Sequence, residues 1–73
     1  RDDIRRRVLE EEITAERRNA EEARRQSLLG ERLQPGERAT DETYLSRVTR
    51  LRATVGQHEQ NVVSIQRELA NLK

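Results

Sequence analysis

From Tyr44 onward the chain repeats itself every seven residues. Positions 44, 48, 51, 55, 58, 62, 65, 69 and 72 hold Tyr44, Val48, Leu51, Val55, His58, Val62, Ile65, Leu69 and Leu72. The spacing alternates four and three without a break, and only His58 is neither aliphatic nor aromatic. This is the seam of a coiled-coil helix, with Val48, Val55, Val62 and Leu69 at a and Tyr44, Leu51, His58, Ile65 and Leu72 at d. A seam of this kind is stable only against a second helix, so the rest of the chain must supply a partner or leave the seam to another molecule.

The first third of the chain supplies one. Residues 1–29 contain no Pro and no Gly, and they carry a thinner seam in the same rhythm: Leu9, Ile13, Glu16, Ala20, Ala23 and Ser27. Between the two seams lies Gly30-Glu31-Arg32-Leu33-Gln34-Pro35-Gly36. Gly30 suits a helix stop, and Pro35-Gly36 is a strong turn signal. Leu33 is the one apolar residue between Gly30 and Arg38 besides the proline, and it is expected to cap the core. Thr40 is an expected N-cap, with Asp41 and Glu42 complementing the dipole of the second helix. Gly56, inside that helix, costs roughly 1 kcal/mol relative to Ala and marks either a close contact or a flexible point. The predicted organisation is helix one over residues 1–29, a connection over 30–40 and helix two over 41–73.

Folding at the Pro-Gly turn gives an antiparallel pair in which a faces d. An alignment in which facing residue numbers sum to 71 sets Ser27 against Tyr44, Ala23 against Val48 and Ala20 against Leu51. It continues with Glu16 against Val55, Ile13 against His58 and Leu9 against Val62. Small residues then meet large ones near the turn, as interdigitated cores require. The predicted fold is all-α, an antiparallel two-helix coiled-coil hairpin. Its core comprises Leu9, Ile13, Ala20, Ala23, Ser27, Tyr44, Val48, Leu51, Val55, His58, Val62, Ile65, Leu69 and Leu72. A parallel dimer through helix two alone fits the seam too, but leaves helix one without a partner.

Apolar residues outside the seams are Ile4, Val8, Ala15 and Leu29 on helix one and Leu45 and Val63 on helix two. They are the expected oligomer face, through which two hairpins pair into a four-helix bundle or a hairpin docks on a domain of its parent chain. Composition agrees with a long-helix protein. Ala, Glu, Lys, Leu and Arg make up more than half of the residues, and Tyr44 is the single aromatic. Fifteen basic residues nearly balance fourteen acidic ones. This argues for helices laced with surface ion pairs and against a strongly basic nucleic-acid binder. Expected i,i+4 pairs include Asp2 with Arg6, Glu21 with Arg25 and Arg18 with Glu22. No apolar run approaches the ~18 residues of a membrane span. The chain opens Arg1-Asp2-Asp3 without Met, so it is expected to be a segment of a larger protein.

Chemistry is sparse. There is no Cys and one His, which excludes disulfides, thiolate metal sites and a multi-histidine site within one chain. His58 is read either as a pH-sensitive latch to a glutamate or as a polar residue that sets the register of the seam. Glu16, also in the seam, bends to solvent or pairs with Arg17, Arg52 or His58, and no second acid or nucleophile makes it catalytic. Arg47, Arg50 and Arg52 form a basic cluster for phosphate contact or for ion pairs with helix one. No catalytic, cofactor-binding or metal site is expected.

Helix one reads Arg5-Arg6-Arg7-Val8-Leu9-Glu10-Glu11-Glu12-Ile13, and helix two carries His58-Glu59-Gln60-Asn61-Val62 followed by Arg67-Glu68-Leu69. In these stretches the chain resembles the C-terminal helical region of a family of small proteobacterial envelope proteins. Their N-terminal part is a domain of unknown function behind a signal peptide. The resemblance implies a periplasmic or envelope location and no defined activity. Asn19 and Ala20 stand where that family carries larger apolar residues. The expected role is a non-catalytic oligomerisation or protein-interaction module. The alternatives are a nucleic-acid-associated helical module and a structural stalk in an envelope protein.

Overall fold

A computed structural model describes residues 2–72. It contains two α-helices, α1 (Asp2–Gly30) and α2 (Glu42–Ala70), of 29 residues each. They lie antiparallel and pack along their length as a helical hairpin.

Every seam position on both helices is buried or half-buried, Glu16 and His58 included. The apolar centre of the hairpin is at its open end. Leu9, Ile13 and Ile65 are buried there, with Val62, Leu69 and Leu72 packed on them. Towards the turn the seam of α1 shrinks to Ala20, Ala23 and Ser27, and Ala20 is only 2% exposed. Small side chains let the α2 backbone come close, so Val48, Leu51 and Val55 fill the space that a larger α1 residue would take.

The alignment differs from the expected sum of 71. His58 meets Glu16, whose numbers sum to 74, and Asn61 meets Glu16, at 77. Leu51 lies over Gly30, at 81, while Arg5 meets Glu68 at 73 and Arg24 meets Glu59 at 83. The centre is about 78, one heptad from the expectation. The overall length agrees. A 29-residue helix is about 43 Å long, yet the molecule extends 57 Å, so the helices are staggered. The reason is apolar burial. At a sum of 71, Ile65 and Leu69 would face Arg6 and Asp2. At 78 they face Ile13 and Leu9, and burying an aliphatic side chain of this size contributes about 1.5–3 kcal/mol.

The stagger reshapes the connection. α2 overshoots the end of α1, and residues 31–41 fold back beside its first turns. Gln34-Pro35-Gly36-Glu37 forms a type II turn, with Gly36 at φ +82° and the Glu37 N–H donating to the Gln34 carbonyl (2.9 Å). Gly30 is the last residue of α1, not a left-handed stop beyond it; among the described residues only Gly36 has positive φ. Leu51 packs over Gly30, and a Cβ at position 30 would displace the Leu51 Cδ1 methyl. Asp41, not Thr40, holds the N-cap position of α2. Its carboxylate accepts from the Arg38 N–H (2.8 Å) and makes no cap bond to the helix. α2 ends at Ala70 with Asn71 as its C-cap, short of the expected run to Lys73, which lies outside the described residues. Leu33 is half exposed and does not cap the core, and the Cβ position of Gly56 meets nothing within 4 Å.

Candidate functional site

Three features carry chemistry: a polar cluster in the middle of the seam, a clamp at the turn, and two exposed flanks.

In the cluster, Glu16 reaches across to α2. Its Oε2 accepts from His58 Nδ1 (3.1 Å) and Asn61 Nδ2 (2.8 Å), and its Oε1 accepts from Asn19 Nδ2 (2.7 Å). Three donors on one half-buried carboxylate hold its pKa down to about 2, with Asn19 the largest influence, then His58, then Asn61. Of the partners expected for Glu16, the structure brings in His58 and leaves Arg17 and Arg52 elsewhere. Asn61 was not anticipated, although its place three residues after His58 puts it on the same side of α2.

The clamp is centred on Arg47. Its Nη1 and Nη2 grip both oxygens of Glu37 (2.6 and 2.8 Å), a forked pair that is mostly shielded from water. Its Nε donates to the Gly30 carbonyl (2.8 Å), and Nη2 also reaches the Arg32 carbonyl (3.3 Å). The guanidinium lies over the Tyr44 ring, 5.3 Å from its centre, while the Tyr44 hydroxyl donates to the Glu31 carbonyl (2.6 Å). The last carbonyls of a helix lack intrahelical partners, and α1 has no basic residue in its own last turn. Arg47 therefore caps the Gly30 carbonyl at the end of α1, while the Glu31 and Arg32 carbonyls lie just beyond the helix. Arg47, with the Gln34 N–H, holds the Glu37 pKa down to about 2. Beside the clamp, the Glu31 carboxylate takes Arg52 (2.5 Å) and Ser27 Oγ (2.7 Å), and these donors lower its pKa too.

The basic cluster is thereby divided. Arg47 and Arg52 pair with Glu37 and Glu31, which belong to the connection and not to helix one, and Arg50 stays exposed. None of the expected i,i+4 ion pairs forms among the described residues. The surface pairs are Arg5 with Glu68 and Arg24 with Glu59 between the helices, and Arg25 with Glu22 within α1. Exposed pairs of this kind contribute little.

The six residues of the expected oligomer face are all exposed, but they do not share one face. On α1, Val8, Ala15 and Leu29 stand in heptad steps with Glu22, and Ile4 lies one turn before Val8. Glu22 borders the groove that also contains Leu51, Thr54 and His58. On α2, Val63 follows Glu59 by one turn and Gly56 by a heptad, and these border the opposite groove with Arg24 and Leu28. Leu45 stands a heptad before Arg52 in that same groove. Leu45 and Val63 thus lie on one flank, and Ile4, Val8, Ala15 and Leu29 on the other. The residue missing from the expected set is Leu28, 69% exposed on the Leu45–Val63 flank. Its position one turn after Arg24, outside the seam, was legible in the sequence.

Among the described residues, no group of three His, Asp or Glu side chains converges as a metal site, and no buried side-chain N or O lacks a partner. Among the described residues no helix is long and apolar enough to cross a membrane. Comparison with protein-family models, curated proteins and solved structures finds no match to this chain.

Proposed function

We propose that this chain is a non-catalytic interaction module that self-associates through an exposed flank of the hairpin. One observation carries the reading. Seven large hydrophobic residues are well exposed, from Ile4 at 71% to Val63 at 37%. A chain of this length gains little from its own interior, and large apolar side chains left exposed together on one flank are characteristic of a protein that meets another surface. The flank with Leu28, Leu45 and Val63 is the favoured contact. It draws side chains from both helices, so pairing two hairpins there yields a four-helix assembly with a two-fold axis.

The sequence resemblance adds a periplasmic or envelope location to this proposal. The 57 Å rod shape supports a second reading, a spacer that holds two attached parts apart. A nucleic-acid role keeps only Arg50 of its three clustered arginines free.

Sedimentation equilibrium of residues 1–73 over a rising concentration series tests self-association. A dimer is expected, and L28S/V63S is expected to shift it to monomer with helix content retained. A monomer at every concentration up to the millimolar range overturns the proposal.

A further inference from the structure

Nothing within one hairpin calls for glycine at position 56. It lies in the middle of α2, where glycine costs helix propensity relative to Ala. A Cβ there would meet nothing within 4 Å, so no neighbour in the same chain needs the space. The flank on which it stands supplies the reason. Gly56 borders the groove that contains Arg24, Leu28, Arg52 and Glu59. Along α2 it is one heptad from Thr49 and one from Val63, and all three are exposed on the same side. A helix without a side chain at its centre can be approached closely there by a second helix.

The charges around Gly56 are arranged to meet a copy of the same flank. Arg52 stands one turn before it and Glu59 one turn after it. A two-fold axis crossing α2 at Gly56 therefore sets Arg52 of each copy against Glu59 of the other. On α1 the same level falls between Glu21 and Arg24, because 22 and 56 sum to the 78 that relates the helices. The axis then sets Glu21 of each copy against Arg24 of the other. Within one hairpin both bonds from Arg24 to Glu59 fall on Oε2 (3.1 and 3.0 Å), which leaves Oε1 to accept from a second cation. The Arg24 and Arg52 side chains are more than half exposed. The same axis brings Val63 of each copy opposite Thr49 of the other, within reach of Leu45 and Leu28, so an apolar contact lies on either side of the glycine. Opposite charges and apolar groups thus both find their partners in a second copy. We infer that Gly56 is the crossing point of an antiparallel α2–α2 contact on the two-fold axis of a dimer. Resting on the self-association proposed above, this contact fixes its axis and its closest point. A side chain at position 56 then acts in opposite directions on two equilibria. It stabilises the separate hairpin through helix propensity, and it holds two hairpins apart.

Sedimentation equilibrium and disulfide trapping test the crossing. Gly56→Leu should raise the dissociation constant of the dimer at least about tenfold, with the helix content of the dilute monomer retained or higher. T49C/V63C should oxidise to a covalent dimer. Positions 49 and 63 are about 21 Å apart along one helix, far beyond the 4.4–6.8 Å between Cα atoms that a disulfide spans. They can join only between copies, and the absence of native cysteine leaves no competing bond. A two-fold axis running along the rod would keep the two positions equally far apart. The crossing is overturned if the unsubstituted chain dimerises and Gly56→Leu does so as tightly. It is overturned equally if T49C/V63C sediments as a dimer and forms no disulfide. In both cases self-association survives through another contact. An unsubstituted chain that stays monomeric removes self-association and the crossing together. Should Gly56→Leu lose helix, Gly56→Ala carries the same measurement, with weaker association expected and unchanged association overturning the crossing.

Discussion

At the open end of the hairpin, Leu9, Ile13 and Ile65 are buried against one another with Val62, Leu69 and Leu72 around them. At the turn the enclosed groups are instead a guanidinium, a carboxylate, a phenol and the carbonyls of Gly30 and Glu31. The open end rests on non-directional apolar burial, which sets how much stability the pair has. The turn rests on directional bonds, which set where residues 31–41 go. A side chain removed from the open end should weaken the whole hairpin, whereas one removed from the turn should free a loop and leave the helices paired.

The largest effect is expected at the open end. Ile13→Ala should lower stability by about 3 kcal/mol, within the 2–5 kcal/mol of such truncations. Urea unfolding followed by circular dichroism checks it, and a loss below about 1 kcal/mol would mean that this end is not the core. Next comes Arg47→Met, which removes the clamp and keeps the aliphatic stem. Trypsin cleavage after Arg32 and Arg38 should speed up at least about tenfold while helix content stays within a tenth of the unsubstituted chain, because ordered backbone resists cleavage and a released loop does not. A concerted loss of helix would erase the distinction between the two ends.

Acid titration separates the polar sites from the apolar end. Glu16 and Glu37 have folded pKa values of about 2, below the ordinary carboxylate value of 4.5. A lowered folded pKa stabilises above the unfolded pKa, and that contribution is lost as pH falls through the folded value. The unfolding midpoint should therefore hold steady down to about pH 4.5 and fall between there and pH 2. E16Q and E37Q should each flatten that fall, and E37Q alone should also free the loop to trypsin. A midpoint flat to pH 2 would contradict both sites.

The smallest effects come from two glycines at positions of opposite character. Gly56 faces open space, so Gly56→Ala should raise stability by up to about 1 kcal/mol through helix propensity alone. Gly30→Ala lies at the end of α1, where the propensity gain is smaller, and its methyl group would push the Leu51 side chain aside, so its midpoint should rise less than that of Gly56→Ala. Equal shifts of the two midpoints would show that helix one does not approach Leu51.

The particular residues show what was legible. The seam from Tyr44 to Leu72 and its counterpart from Leu9 to Ser27 could be read as buried positions, because burial along a helix follows a fixed angular period. The Pro35-Gly36 turn was legible for a similarly local reason, since the φ of +82° found there strongly favours glycine. Leu28 and Asn61 stand within reach of the same periodicity. The clamp was not legible. Arg47, Glu37 and the Gly30 carbonyl are separated along the chain, and nothing in their spacing says that they meet.

By itself the sequence determined that the chain forms two helices, which residues face inward and where the chain turns, since each follows from the period of the α-helix or from one residue's backbone geometry. Only the tertiary structure decided the alignment. A heptad repeat sets a against d at sums of 71 and 78 alike, and the choice falls to contacts between distant residues: Ile65 with Ile13, Asn61 with Glu16, and Arg47 with the Gly30 carbonyl. From that choice follow the stagger, the folded-back turn and the division of the exposed apolar residues between two flanks.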